Sequence, residues 1–244
     1  MTPHSSPSLP DGWNSRTDAL GRVIEAHALR PDINDCDLAF LPQVPDLVEL
    51  WLARTQITDQ ALDKLGDLTH LQTLNLDYTA VSDNGLSAVA ALRGLKELGL
   101  RHTCVTDAGL KHLSGLHHLE FLYLGHTPVA DQGLVHLQSL PRLTYLYLGD
   151  TRVSDAGLPY LGQLQQLQRL YLEETQITDT GLAALTGLRQ LRTLELYGTR
   201  ISDAGLPALR SLSGLRRLHL WGTLCSEAAI KELQQALPET HIIF

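Results

Sequence analysis

The sequence predicts an α/β fold, a curved solenoid with a parallel sheet on its concave face and short helices on its convex face. Two observations predict it. A leucine recurs every 24 residues without an insertion, and it opens the phrase LxxLxL, whose period of two is typical of a short strand with one buried face. The following stretch, such as TDAGLKHLSGL at 106–116, spaces its leucines by three, which favours a short helix on the other side.

The repeat is unusually regular. Numbered from that leucine, positions 4 and 6 are leucine and position 9 is threonine in all eight units. The eight units begin at Leu47, Leu71, Leu95, Leu119, Leu143, Leu167, Leu191 and Leu215. One unit alone cannot bury its apolar side chains, so we expect stacked units to share one continuous core.

The remaining fixed positions predict helix starts and turns. Serine or threonine at position 12 is expected to cap each helix, and aspartate at position 13 lies in its first turn, where a negative charge is favourable. Ala130 departs from this rule and leaves Asp131 as the nearest candidate. Glycine at position 15 predicts close packing against the next coil.

The register extends to both ends of the chain. Residues 23–46 form a degenerate first unit, residues 47–238 the eight regular units and residues 239–244 a terminal strand, giving one domain over 23–244. Residues 1–22 are expected to be a leader in which a capping helix begins, with a helix over 14–29 covering the first coil as the N-terminal cap that a solenoid needs. The helix SEAAIKELQQAL, residues 226–237, is interpreted as a built-in C-terminal cap. A poor cap would let the strand edge pair with another copy, although we expect a monomer.

The phrase LxxLxLxxTxITDxGLxxLxxLxx resembles the leucine-rich repeat family and is similar to the 24-residue bacterial repeats of its GALA and cysteine-containing classes. Many repeats of that family carry asparagine at position 9. The resemblance therefore implies that threonine hydroxyls replace the asparagine in bonding backbone groups of the turn. It implies a scaffold and a bacterial origin, and it leaves the function open.

The variable positions carry the functional signal. Positions 3, 5, 7 and 8 are expected on the concave face, and they hold nine of the chain's thirteen aromatic residues. Strand propensity alone would favour valine and isoleucine there, and those positions contain neither. Two interpretations remain: the rings stack on each other across strands, or they form a recognition surface.

The recognition interpretation predicts a protein or peptide partner on the concave face. The densest cluster occupies three consecutive units, with a charged rim and bare glycines (Gly99, Gly125, Gly149, Gly198 and Gly222) interpreted as slots for partner side chains. The predicted partner-binding residues are Trp51, Tyr78, Phe121, Tyr123, Tyr145, Tyr147, Tyr171, Tyr197, Trp221, Arg101, Arg169 and Glu173. The alternatives are a carbohydrate-binding module and an adaptor or scaffold subunit of a larger complex.

Other chemistry finds little support in the sequence. Position 8 reads His102, His126, Asp150 and Glu174 in consecutive units, which offers metal-ligating side chains, but a solvated polar strip is the alternative we favour. No nucleophile elbow, phosphate-binding loop or metalloprotease helix is visible, so we predict no enzyme, no cofactor and no metal.

Composition narrows the partners and the location. The net charge of −8 argues against non-specific nucleic-acid or anionic-membrane binding. The three cysteines are far apart and fit no metal spacing, which favours free thiols in a reducing compartment. No apolar run is long enough for a signal peptide or membrane span, so we expect a cytoplasmic location.

Overall fold

The computed structural model describes residues 9–244. Eleven strands form one sheet in chain order, which confirms the predicted solenoid. The strands are β1 (Trp13–Thr17), β2 (Val23–Ala28), β3 (Glu49–Trp51), β4 (Thr73–Asn75), β5 (Glu97–Gly99), β6 (Phe121–Tyr123), β7 (Tyr145–Tyr147), β8 (Arg169–Tyr171), β9 (Thr193–Glu195), β10 (Arg217–His219) and β11 (His241–Ile243). Strands β2 to β11 are parallel and pair without a register shift, so that Leu122 lies beside Leu146 and Leu146 beside Leu170. Equivalent positions of successive units are therefore lateral neighbours.

Short helices connect the strands on the opposite side. The α-helices are α1 (Asp59–Leu62), α2 (Asp83–Val89), α3 (Asp107–Leu110), α4 (Leu158–Leu161), α5 (Asp179–Leu182), α6 (Leu206–Leu209) and α7 (Glu227–Ala236). Further 3-10 helices span Asp35–Gln43, Asp63–Leu65, Lys111–Gly115, Asp131–Ser139 and Ala183–Leu185. Within residues 9–244, no helix has the length and apolar character needed to cross a membrane.

The predicted helix caps are confirmed in several units. The side chains of Thr58, Ser82 and Thr106 each accept a hydrogen bond from the backbone N–H two residues later. Ala130 cannot do this, and the segment after it is a 3-10 helix.

The core is one stack of leucines. Those at positions 4 and 6, such as Leu146 and Leu148, are fully buried, whereas the residues between them face away from the core. This alternation follows from the period of two in an extended chain. It places the variable residues on the concave face.

The position-13 aspartates link each unit to the next. One carboxylate oxygen accepts the backbone N–H at position 12 of the following unit, and the other accepts the hydroxyl there, at 2.5–2.8 Å. We call this series the aspartate ladder; its members are Asp35, Asp59, Asp83, Asp107, Asp131, Asp155, Asp179 and Asp203. At Ala130 the hydroxyl is missing, and Asp107 accepts only the N–H, at 2.7 Å. The sequence predicted a favourable interaction with the helix dipole but not this bond between units.

The glycines at position 15 belong to the same arrangement. A β-carbon placed on Gly133 would lie 2.7 Å from Oδ1 of Asp107 and 2.9 Å from a methyl carbon of Leu110. Glycine thus lets the helix approach a neighbouring coil, which confirms the predicted close packing, but the partner is the preceding coil and not the next one.

The position-9 threonines behave as the family resemblance implied. Each hydroxyl donates to the carbonyl at position 6 of its own unit at 2.5–2.7 Å. These bonds stabilise the turn after each strand and do not join units.

The predicted N-terminal helix over 14–29 is wrong. β1 and β2 form an antiparallel hairpin, and β2 pairs in register with β3. The turn is set by Asp18, whose carboxylate accepts the N–H groups of Leu20 and Arg22 at 2.9 Å, and by Gly21, whose φ of +77° suits glycine. Trp13 on β1 packs edge-on against Phe40, with ring centroids 4.8 Å apart. A strand rather than a helix therefore covers the first coil.

The C-terminal expectations fit the structure. α7 is a ten-residue helix capped by Ser226, and β11 adds a parallel strand beside β10. Ile242 is buried, whereas Phe244 is half exposed at the end of the sheet.

Candidate functional site

Five aromatic side chains form a contiguous cluster on β6, β7 and β8, which we call the aromatic patch. Its members are Phe121, Tyr123, Tyr145, Tyr147 and Tyr171. All five are partly exposed on the concave face, while the leucines between them are fully buried. Positions 3 and 5 of adjacent strands lie side by side, so the uninterrupted register brings the rings together.

The rings of the patch pack against each other at tilted angles. Tyr145 is at the centre, with its ring centroid 4.9 Å from Tyr123, 5.0 Å from Tyr171 and 6.0 Å from Phe121. Tyr147 contacts Tyr171 at 5.5 Å. The two interpretations of the sequence are therefore both compatible with the structure, because stacked rings still present their outer edges to solvent.

The tyrosine hydroxyls sit in a partly desolvated environment. Burial raises the pKa of Tyr123 to about 12. It also raises the pKa of Tyr145 and Tyr147, and the neighbouring hydroxyl of Tyr171 and carboxylate of Glu173 add to the two shifts. All three phenols are therefore neutral hydrogen-bonding groups at neutral pH.

The other predicted aromatics lie outside the patch. Trp51 stacks on His27 at 5.5 Å, and Tyr78 lies between the guanidinium of Arg54 and the ring of His102. Tyr197 contacts His219 at 5.0 Å, and Trp221 is 62% exposed near the C-terminal end. The structure thus gathers five of the nine predicted aromatics and distributes four along the face.

Arg101 is held by an aspartate that the sequence analysis overlooked. Its guanidinium makes two bonds of 2.7 Å to Oδ2 of Asp77, and its backbone N–H donates to Oδ1 at 2.8 Å. Asp77 is only 2% exposed, and Arg101 lies 5.3 Å from the ring centre of Tyr123. The sequence does contain a clue to this pair, because Asp77 at position 7 of one unit is followed by Arg101 at position 7 of the next.

A small acidic pocket opens beside the patch. It encloses about 200 Å³ and is lined by His126, Tyr147, Gly149, Asp150, Glu173, Glu174 and Tyr197. Glu173 is 5% exposed, and its Oε2 atom has no hydrogen-bond partner within residues 9–244. Burial raises the pKa of the Glu173 carboxyl, whereas the Tyr147 hydroxyl opposes that shift. We call this site the acidic pocket.

A basic depression also borders the patch. It encloses about 370 Å³ and is lined by Arg169, Tyr171, Thr193, Arg216, Arg217 and His241. Tyr147 lines the acidic pocket and Tyr171 lines the basic depression, so the patch borders two surfaces of opposite charge.

The position-8 residues share a backbone conformation that the sequence analysis missed. In six units a non-glycine residue there has φ between 52° and 61°, in the left-handed region. The six are Arg54, Tyr78, His102, His126, Asp150 and Glu174. Gly198 and Gly222 occupy the same position in later units. Because glycine favours positive φ, these two residues could have predicted the left-handed conformation from the sequence.

The position-8 column does not gather metal ligands. The rings of His102 and His126 stack face to face at 4.0 Å, and His126 Nδ1 bonds Oδ2 of Asp150 at 2.6 Å. Among residues 9–244, the group with three ligand atoms within 4.8 Å of one another is Glu25, His27 and Glu49, at the other end of the sheet.

The interpretation of the glycines as partner slots is wrong at four positions. A β-carbon on Gly125 would lie 2.0 Å from a ring carbon of Tyr147, and one on Gly149 would lie 2.5 Å from Oε1 of Glu173. Gly99 and Gly198 are covered in the same way by Asp77 and Glu174. Side chains of neighbouring units already fill these spaces, and Gly222 is the exception.

Comparison with known proteins gives a consistent family. Two models, both described as a leucine-rich repeat, match residues 141–201 and 67–90. No curated protein matches the chain. An internalin C2 from Listeria monocytogenes is 28% identical, with a TM-score of 0.66 over 84% of this chain and 81% of that one.

More distant structures share the fold. An internalin (inlF) from Listeria monocytogenes is 21% identical, with a TM-score of 0.68 over 85% of this chain and 62% of its own. The plant peptide hormone receptor RGFR1, solved in complex with RGF2, is 17% identical, with a TM-score of 0.59 over 95% of this chain and 40% of its own.

Proposed function

Because this chain is a leucine-rich repeat protein, we propose that it is a non-catalytic module that binds a protein or peptide on the concave face of its solenoid. The observation that carries the proposal is the aromatic patch, five partly exposed rings on three adjacent strands that border an acidic pocket and a basic depression. The assignment to the GALA-like or cysteine-containing classes stays a prediction.

The chemistry of the patch favours a polypeptide partner. Tyrosine offers a large apolar surface with a polar tip and loses little conformational entropy on binding. Here the rings already brace one another at 4.9–5.5 Å, which reduces the ordering that binding requires. The charged groups of the two adjoining depressions resemble the polar rim that protein interfaces have. The receptor solved with RGF2 is a precedent for a peptide ligand on this scaffold.

The carbohydrate alternative receives less support from the geometry. Sugar rings stack on open, flat aromatic faces, whereas the patch rings tilt by 33–44° and lean on each other. The adaptor alternative is a protein-binding role as well, and it differs only in the number of partners.

The proposed location is a reducing one, such as the cytoplasm. Cys36, Cys104 and Cys225 are unpaired, and Cys36 and Cys104 are exposed. Exposed free thiols suit a compartment in which they stay reduced.

Selection from a random peptide library tests the proposal. We expect the wild-type protein to enrich binding peptides and the triple variant Tyr123→Ala/Tyr147→Ala/Tyr171→Ala to bind them at least about 10-fold more weakly, since aromatic anchors dominate interface energies. Fluorescence anisotropy with a selected peptide measures the loss. A glycan array on the same protein should give no specific signal.

The matched control is Tyr160→Ala, which removes a tyrosine from α4, a helix on the convex side. Its peptide affinity should equal that of the wild type. A failure to enrich any peptide would contradict the proposal. So would equal affinity of the triple variant at an unchanged melting temperature.

A further inference from the structure

The acidic pocket contains a buried carboxylate oxygen that the protein leaves without a donor. Glu173 is 5% exposed and lines the pocket, and its Oε2 atom has no partner in the described part of the chain. A buried charged group without a hydrogen bond is unfavourable, and native proteins rarely retain one. Such a group points to a ligand that supplies the donor.

Three cations of the concave face are already paired with other carboxylates. His126 bonds Asp150 at 2.6 Å, His219 bonds Glu195 at 2.9 Å and Arg101 bonds Asp77 at 2.7 Å. Each of these pairs is separate from the free oxygen of Glu173. The Tyr147 hydroxyl acts on the same carboxyl, but Oε2 keeps no partner in the described part of the chain, so a ligand is the candidate donor for it.

The missing group should be cationic, because the pocket is rich in negative charge. Three carboxylates line it, those of Asp150, Glu173 and Glu174, against one histidine. We propose that the acidic pocket is a subsite for one lysine or arginine side chain of the bound peptide. This inference rests on the proposed function, since it assigns part of the partner to one part of the same face.

The size and walls of the pocket suit one such side chain. Its volume of about 200 Å³ is below the roughly 300–1,000 Å³ of pockets that hold whole small molecules. Tyr147 and Tyr197 line it, and tyrosine rings accept both the methylene stem and the charged end of a cationic side chain. The neighbouring aromatic patch would hold the adjacent residues of the peptide.

A bare metal ion is a poorer match for these carboxylates. Among residues 9–244, the three pocket acids are not among the groups whose ligand atoms lie within 4.8 Å of one another. A single ion needs its ligands gathered at one point, whereas an ammonium or guanidinium group carries several donors directed to different acceptors.

Titration followed by NMR tests the subsite directly. The probes are N-acetyl-lysine methylamide, its arginine equivalent and the neutral N-acetyl-norleucine methylamide. We expect the two cationic probes to shift the backbone amides of Gly149, Asp150 and Glu174 saturably, and norleucine to leave them unchanged. Glu173→Gln should weaken binding of the cationic probes by at least about 10-fold, the typical effect of removing a charged hydrogen-bond partner.

The control is Glu97→Gln, which neutralises another partly buried glutamate of the concave face outside the acidic pocket. It should titrate as the wild type does. Equal shifts with norleucine, or an unchanged response in Glu173→Gln, would overturn the subsite.

Peptide selection separates the subsite from the proposed function. Peptides enriched on the wild type should carry lysine or arginine at one fixed position, and this preference should vanish on Glu173→Gln. Peptides that bind through the aromatic patch with no such preference would refute the subsite and leave the proposed function standing. An absence of binding peptides would refute the proposed function, and the probe titration would still decide whether the pocket takes a cation.

Discussion

The aspartates of the ladder and Glu173 carry the same carboxylate group but differ in how fully its oxygens are hydrogen-bonded. In the aspartate ladder, Asp131 uses both carboxylate oxygens to bond the next unit, at 2.8 Å to the backbone N–H and 2.7 Å to the hydroxyl of Ser154. Glu173 is more deeply buried than these aspartates, yet its Oε2 atom has no partner in the described chain. The same chemical group stabilises the scaffold in one region and is left available in the other.

The ladder aspartates occupy a position that repeats along the sequence, whereas Glu173 occupies a variable position. The ladder is built from positions 12 and 13, which hold a hydroxyl residue and an aspartate in every regular unit except at Ala130 and Glu227. These residues therefore meet their partners once the coils stack in register. Glu173 occupies a position that holds alanine, aspartate, arginine, glycine, tyrosine or tryptophan in other units. Nothing in the stacking requires a carboxylate there, and this is the reason we propose a binding role for Glu173.

Removal of a ladder carboxylate should have the largest effect. Asp131→Ala leaves the N–H and the hydroxyl of Ser154 without their acceptor, and we expect the free energy of unfolding to fall by about 2–3 kcal/mol, as for other bonds to charged groups. Urea denaturation measures the loss. Asp67→Ala removes an exposed aspartate and should change the free energy by less than about 0.5 kcal/mol. Equal effects of the two variants would remove the structural role of the ladder.

Neutralisation of Glu173 should have the opposite sign. Glu173→Gln keeps the shape of the side chain and removes a buried, incompletely bonded charge, so we expect stabilisation by about 1–2 kcal/mol at neutral pH. Glu174→Gln, at the exposed neighbouring position, should be nearly neutral. Destabilisation by Glu173→Gln would mean that the carboxylate supports the fold, as the ladder does.

The pH dependence gives an independent check on Glu173. Burial raises its pKa in the folded state, so the folded protein binds a proton more readily than the unfolded chain does. The penalty is therefore complete above the raised pKa and disappears as pH falls toward the ordinary glutamate value of about 4.3. The stability difference between Glu173→Gln and the wild type should shrink over that window, and a constant difference would contradict the assignment.

Sequence periodicity predicted most of the fold for a physical reason. A 24-residue repeat without insertions fixes which residues become lateral neighbours, so the sheet order, the leucine core and the helix caps follow from spacing alone. The N-terminal hairpin does not repeat, and its buried residues Val23 and Ala26 are three residues apart, a spacing that also fits one face of a helix. Its turn depends on the side chain of Asp18, which no spacing reveals.

The candidate site was predictable in outline only. Alternation along each strand placed the aromatic patch on the correct face. The burial of Glu173 depends on contacts from other units, because its side chain covers Gly149 and Tyr147 covers Gly125. Side chains that lie across a neighbouring coil in this way depend on the packing of three stacked coils together. They occupy the spaces above the glycines that were expected to be open.

Ala130, where the ladder lacks one hydrogen bond, provides the test with the smallest expected effect. Asp107 bonds only the N–H of Ala130, so Ala130→Ser supplies the hydroxyl that its other oxygen lacks and a side-chain cap for the helix that follows. We expect stabilisation by about 1 kcal/mol, detected as a raised midpoint in urea. Ala156→Ser, at an exposed position 14, is the matched control and should leave the midpoint unchanged. The same substitution is then measured in an Asp107→Asn background. If Ala130→Ser stabilises the wild type but not this background, the added stability comes from the completed ladder. An equal increase in stability in both backgrounds would assign it to helix capping alone.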